Sequence, residues 1–220
     1  MRTGTINNYV KFSQNFGGVR KCYEGKPEIA VGGFKCDKAN MPLDGSALAA
    51  GTPVFYDEQA RTIVPLYTFA VLSVEVATNK VKVAKFETGS VAKVGMKLLV
   101  VSDDLTQAAG NLATVTAVDS SANDYDILTM DSVASGSSAF IAEGDVLAEA
   151  KSSEVKKVKV VPNGLTYCDS VLATDAYAID VDPVYFCVRP VLERRMPPLT
   201  ASLKKALRDN GCYFNFSNRK

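Results

Sequence analysis

The stretch Ser46-Ala-Leu-Ala-Ala-Gly-Thr-Pro-Val-Phe-Tyr-Asp-Glu-Gln-Ala-Arg-Thr-Ile-Val-Pro-Leu66 reads as a β-hairpin. Val54 and Tyr56 are read on one face of the first strand, and Thr52 and Phe55 near the other. Asp57-Glu58-Gln59-Ala60 is a polar turn, and Thr62-Ile63-Val64 is a β-branched return strand. Gly51 tolerates a backbone angle that other residues avoid, and Pro53 belongs at a strand start where no ladder N–H is needed. The same grammar recurs at Gly95-Met-Lys-Leu98 and Gly144-Asp-Val-Leu147: a glycine, then an apolar strand residue three positions on. The chain is therefore expected to be a series of strands hung between glycine corners.

Upstream, Glu28-Ile-Ala-Val-Gly-Gly-Phe-Lys-Cys36 reads as a short strand broken at Gly32-Gly33. No Lys-Ser/Thr follows these glycines, so a bulge or corner is expected in place of a phosphate-binding loop. Residues 1–28 mix Asn, Gly, Gln and Lys with Tyr9, Phe12, Phe16 and Tyr23, and fit neither the helical nor the strand period. They read as an extended arm whose aromatics pack on a neighbouring subunit or on their own domain; stacking on nucleic acid is the alternative.

Downstream, Leu66 to Leu72 continues as a buried strand. From about Ser73 the alternation becomes strict, with Val74 and Val76 facing Val81 and Val83 across a Thr78-Asn79 turn. Further strands at 97–101, 113–118 and 125–130 follow at roughly the spacing of a small barrel or sandwich. Residues 73–150 are thus expected to form an inserted all-β module, and 29–72 with 151–220 a β-rich body. In that body Val155, Val158 and Val160 alternate with Lys156, Lys157 and Lys159 in a strand whose lysines solvate one face. One helix is expected, over about 199–210: Leu199, Leu203, Ala206 and Leu207 recur at helical spacing, Thr200 stands near the N-cap and Gly211 at the C-cap. The fold class is mainly β, a composite domain with an inserted barrel or sandwich and a C-terminal helix.

Among 220 residues, 25 Lys and Arg nearly balance 24 Asp and Glu, so charge gives no reason to expect nucleic acid or an anionic membrane as a partner. No segment approaches about 20 consecutive apolar residues and the start lacks a signal-type run, so a soluble protein made in a cytoplasm is expected. The five cysteines are odd in number and lack CxxC spacing, which points to buried free thiols. Histidine is absent, which removes the commonest general base and the commonest transition-metal ligand. Asp103, Asp104, Asp119, Asp124, Asp126 and Asp131 lack the order of a calcium loop and are expected to cap turns, with Asp124-Tyr125-Asp126 the best local cluster. Glu143 and Asp145 share one strand face without the opposed placement of a glycosidase pair. No catalytic residue, cofactor or metal is expected, and so no enzyme.

Ala47-Leu-Ala-Ala-Gly-Thr-Pro-Val-Phe-Tyr-Asp-Glu58, then the inserted module, then Pro162-Asn-Gly-Leu-Thr-Tyr167 and Arg194-Arg-Met-Pro-Pro-Leu-Thr-Ala-Ser-Leu-Lys204, follow an Asn/Phe-rich arm. This order of short motifs resembles the head-fibre and capsid-decoration proteins of tailed bacteriophages and prophages. The resemblance covers most of the chain outside about 73–150. It implies a virion structural protein on the capsid exterior, bound to the major capsid protein and assembled as a homotrimer. In such families an extended N-terminal segment often supplies the shell contact, which by position puts Tyr9, Phe12 and Phe16 there. The alternative is a module that binds a glycan or host surface through exposed aromatics, Tyr125, Tyr167, Tyr177 and Tyr185 being the candidates.

Overall fold

The computed structural model describes residues 22–42, 46–86, 88–105, 107–135, 138–171 and 176–218. In chain order its strands are β1 (Glu28–Ile29), β2 (Phe34–Asp37), β3 (Pro53–Asp57), β4 (Thr62–Pro65), β5 (Thr68–Glu75), β6 (Lys80–Ala84), β7 (Lys97–Val100) and β8 (Ala113–Asp119). They continue with β9 (Tyr125–Met130), β10 (Ala134–Ser135), β11 (Ser138–Ala139), β12 (Val146–Glu149), β13 (Gly164–Thr166), β14 (Ala178–Val181) and β15 (Pro183–Leu192). Helix α1 (Ala201–Asp209) and strand β16 (Tyr213–Ser217) follow. The protein is mainly β, with one α-helix among the described residues.

The 46–66 stretch forms the expected hairpin. Val54 pairs with Pro65 and Tyr56 with Ile63, and Val54 is fully buried while Phe55 points outward. In the turn, Asp57 Oδ1 accepts the N–H groups of Gln59 and Ala60, an Asx-type turn. Thr52 does not sit on the outer face. It precedes the strand, is buried, and its hydroxyl donates to the Ala49 carbonyl at 2.7 Å. Pro53 begins β3, where its missing N–H costs no ladder bond.

Around this hairpin lies a mixed sheet in the order β1-β15-β13-β3-β4-β2-β14, with β16 alongside β15 in parallel. β2 and β4 are also parallel, and the other pairs are antiparallel. Pro190 lies inside the long strand β15, at a register shift between Cys187 and Pro190, the kind of site where a ladder tolerates a residue that cannot donate.

Strands β5, β6, β9, β8, β7 and β12 close into an antiparallel barrel in the order β12-β5-β6-β9-β8-β7. Most of its inward positions are apolar: Val71, Val81, Val83, Leu98, Val115, Leu128 and Leu147 are all buried. β5 runs without a break from Thr68 to Glu75, across the change of character at Ser73. A register shift between Val71 and Ser73 sets Val83 opposite Val71 and Val81 opposite Val74, while Val76 lies in a short 3-10 turn and is exposed. Glu143 and Asp145 are in the turn before β12, not on a strand. Residues 155–160 form no strand. Only an isolated bridge joins Val158 to Ala150, and the lysines leave the row to bond locally, Lys156 to the Gly110 carbonyl and Lys159 to Glu149.

Barrel and sheet share one core. Phe34, Cys36, Met41, Val54 and Ile63 of the sheet body belong to the same buried cluster as Val71, Val83, Leu128 and Leu147. A polar clamp reinforces this seam. Lys159 reaches Glu149 of β12 at 2.9 Å and Asn40 at 3.1 Å. Lys93 donates to the carbonyls of Ala39 and Met41, and burial holds its ammonium below the usual lysine range. Helix α1 fills the angle between the layers. Leu203 and Ala206 pack with Leu66, Leu99 and Ala148, and Leu207 packs with Leu165 and Cys212. Its start is capped by Thr200, whose hydroxyl accepts from the Leu203 N–H. It ends in a Schellman motif: Cys212 N–H donates to Leu207 and Gly211 N–H to Arg208.

All five cysteines are free thiols; Cys168 is exposed and the others are buried. A native sample is expected to titrate one fast thiol with a disulfide reagent, and the unfolded chain five. Burial pushes the Cys36 and Cys212 thiols up from 9.0 to about 11. The unfolded chain then ionises first, so this contribution is full below pH 9 and lost as pH rises toward 11. Urea unfolding across that window is expected to show falling stability, and a flat profile would contradict the buried thiols.

Candidate functional site

Alternation along β9 sends Leu128 and Met130 into the barrel, and it sends Asp126 there as well. Asp126 is 2% exposed and pairs in register with Val83 of β6. Two residues beyond Val83, Lys85 follows, and its Nζ stands 3.4 Å from Asp126 Oδ1. That distance is long for a charge-assisted hydrogen bond. The shorter bonds from Nζ go to the carbonyls of Ser120 at 2.7 Å and Ala122 at 2.9 Å, so the ammonium ties the barrel mouth to the turn between β8 and β9. Beside this pair a cavity of about 30 Å³ opens between the barrel and the C-terminal segment, its lining including Thr68, Lys85, Phe86, Thr88, Asp126 and Pro197. Small-molecule sites run to roughly 300–1,000 Å³. This cavity is therefore far too small for a sugar ring or an organic substrate.

The Lys85–Asp126 pair was readable as a phase relation. Lys85 keeps the two-residue period of Val81 and Val83, and Asp126 that of Leu128 and Met130. The aspartates of the calcium reading do not converge. Asp124 contributes its backbone carbonyl to the Lys85 N–H, Asp119 and Asp131 accept backbone N–H groups as turn caps, and no three His, Cys, Asp or Glu side chains gather among the described residues. Asp145 likewise accepts the Ala142 N–H, while Glu143 lies in the same turn.

The four tyrosines of the glycan reading lie on separate elements. Tyr125 is covered by the Lys82 ammonium, 3.6 Å from its ring centre. Tyr167 stacks on Tyr23, with centroids 6.3 Å apart. Tyr185 donates its hydroxyl to Glu28 at 3.2 Å, and that bond to a carboxylate raises its pKa. Tyr177 is 88% exposed, just before β14. Two basic residues of the helix are matched by acids: Lys204 pairs with Glu193 at 2.7 Å and Lys205 with Asp209 at 2.6 Å.

Tyr9, Phe12 and Phe16 lie outside the described residues. The described chain from Cys22 on is firmly held. Tyr23 bridges to Val191, and Cys22 accepts the Leu192 N–H at 2.7 Å, which extends the β1 edge along β15. Tyr23 is buried, and its hydroxyl donates to the Thr166 carbonyl at 2.7 Å. Burial raises its pKa well above the tyrosine norm.

No family model matches the chain, and no curated protein or solved structure matches it. Among the described residues no helix is long and apolar enough to cross a membrane.

Lys85→Met leaves the Asp126 carboxylate buried without its counter-charge and is expected to cost about 3 kcal/mol in urea unfolding. The double change with Asp126→Leu is expected to recover most of that loss. A neutral single variant would show that the pair is solvated.

Proposed function

We propose that this chain is a virion structural protein that decorates the outer surface of a tailed-phage capsid as a homotrimer, with the residues before Cys22 as the arm that meets the major capsid protein. The observation that carries this reading is the anchoring of Cys22 to Ile29 along β15. A segment locked as a sheet edge, with Tyr23 buried against Thr166, gives the aromatic residues before it a rigid attachment point. Such an arm gains shell affinity from backbone pairing and aromatic burial, at a cost in ordering that a rigid anchor reduces. The motif order described above supports the same reading. So does a β body whose charges nearly cancel, which suits dense packing on a lattice.

The glycan-binding alternative has two exposed rings, Tyr177 at 88% and Tyr167 at 40%, which lie on separate elements, while Tyr125 is covered by Lys82 and Tyr185 is bonded to Glu28. A cluster of open rings would have favoured it.

Purified protein mixed with undecorated shells is expected to co-sediment at micromolar concentration. The triple variant Tyr9→Ala, Phe12→Ala, Phe16→Ala is expected to lose at least about tenfold in affinity, or about 1.4 kcal/mol, while unfolding like the parent chain. Solution mass is expected at three times the 23.6 kDa chain. Absence of shell binding by the parent protein would contradict the proposal, and hits on a glycan array would favour the alternative.

A further inference from the structure

Three buried oxygens belong to residues that line the small cavity at the barrel mouth. Thr68 Oγ1, Thr88 Oγ1 and Asp126 Oδ1 have no hydrogen-bond partner among the described residues, and all three residues line that cavity. Their residues are 5%, 2% and 2% exposed. Buried polar atoms are rarely left unpaired, because the water they lose must be replaced by something. Here no protein group replaces it. Lys85 Nζ offers Asp126 a 3.4 Å contact and spends its shorter bonds on Ser120 and Ala122.

Size and chemistry narrow what fills the gap. One water needs about 10–15 Å³ of such volume, so a cavity of about 30 Å³ holds about two. An organic ligand does not fit. A cation finds only one carboxylate, already beside an ammonium. Water matches the donor set: it donates to the carboxylate, and it donates to or accepts from the two threonine hydroxyls.

We propose that this cavity is a binding site for about two ordered water molecules, which bridge Asp126 Oδ1 to the hydroxyls of Thr68 and Thr88. The bridge joins strands β5 and β9 to the turn after β6, under the cover of Pro197 and Pro198. The inference stands apart from the capsid reading.

A crystal structure of the full chain, at a resolution that shows ordered solvent, is expected to place water on all three oxygens. In solution, magnetic relaxation dispersion of isotopically labelled water is expected to count about two fewer long-lived waters in the Thr68→Val, Thr88→Val double variant than in the parent. An empty or collapsed cavity in the parent structure overturns the proposal, as does an unchanged count in a folded double variant. Should the variant not fold, density in the parent cavity decides alone.

Discussion

Three corners of the chain obey one backbone constraint, and the arrangement of both layers depends on them. Gly51, Gly95 and Gly144 have φ of 79°, 85° and 88°. Each sits third in a turn closed by a hydrogen bond from the next residue: Thr52 to Ala49, Met96 to Lys93 and Asp145 to Ala142. The residue before each glycine has no positive φ, which makes all three type II turns. The glycine N–H then donates outward to a neighbouring segment, at Thr166, Val115 and Val71 respectively. Three positions on, Val54, Leu98 and Leu147 are buried. One device thus ends a loop, ties it sideways and starts a strand in the phase that buries its side chain. At Gly51 there is a steric demand too, since a Cβ would lie 2.7 Å from Met196 Cβ.

The corners place strands, and the seam between the layers turns them into one body. Apolar residues from sheet and barrel lie in a single cluster, and helix α1 covers Leu66, Leu99 and Ala148 beside it. At this seam Glu149 Oε1 pairs with Lys159 at 2.9 Å and Tyr67 donates to the Asn40 carbonyl at 2.7 Å, while Glu149 Oε2 is buried without a hydrogen-bond partner among the described residues. Charged groups are costly to bury without such partners. The barrel is thereby fastened to the sheet by apolar and polar contacts together.

Much of this was legible from local chemistry. Period-two alternation marks the 74–86 hairpin and β9, and the glycine grammar marks the corners. The Thr200 and Gly211 caps mark α1, which is shorter than its pattern by two residues at its start and one at its end. Where reading failed, tertiary contacts had overridden the period. The 155–160 stretch alternates like a strand, yet Lys159 is drawn to Glu149 and Lys156 to Gly110, so the ladder does not form. The bulge near Ser73 shifted the register of Val83, and no single-sequence signal marks it. The buried Lys85–Asp126 pair is legible only through the phase of Lys85 with Val83 and of Asp126 with Leu128, because Asp126 also fits a turn-capping pattern with its neighbours. The shell-contact residues Tyr9, Phe12 and Phe16 lie outside the described residues, so the capsid reading rests on the motif order and on the anchored segment that follows them.

The central claim is that glycine corners in left-handed backbone fix where the strands begin. Gly95 and Gly144 test it cleanly, because an added Cβ would meet nothing within 4 Å at either. Gly110 is the control, equally open but without a left-handed φ. Denaturant unfolding of the three alanine variants is the measurement. Losses of about 1–2 kcal/mol are expected for Gly95→Ala and for Gly144→Ala, with no loss for Gly110→Ala. Equal effects at all three positions would contradict the account.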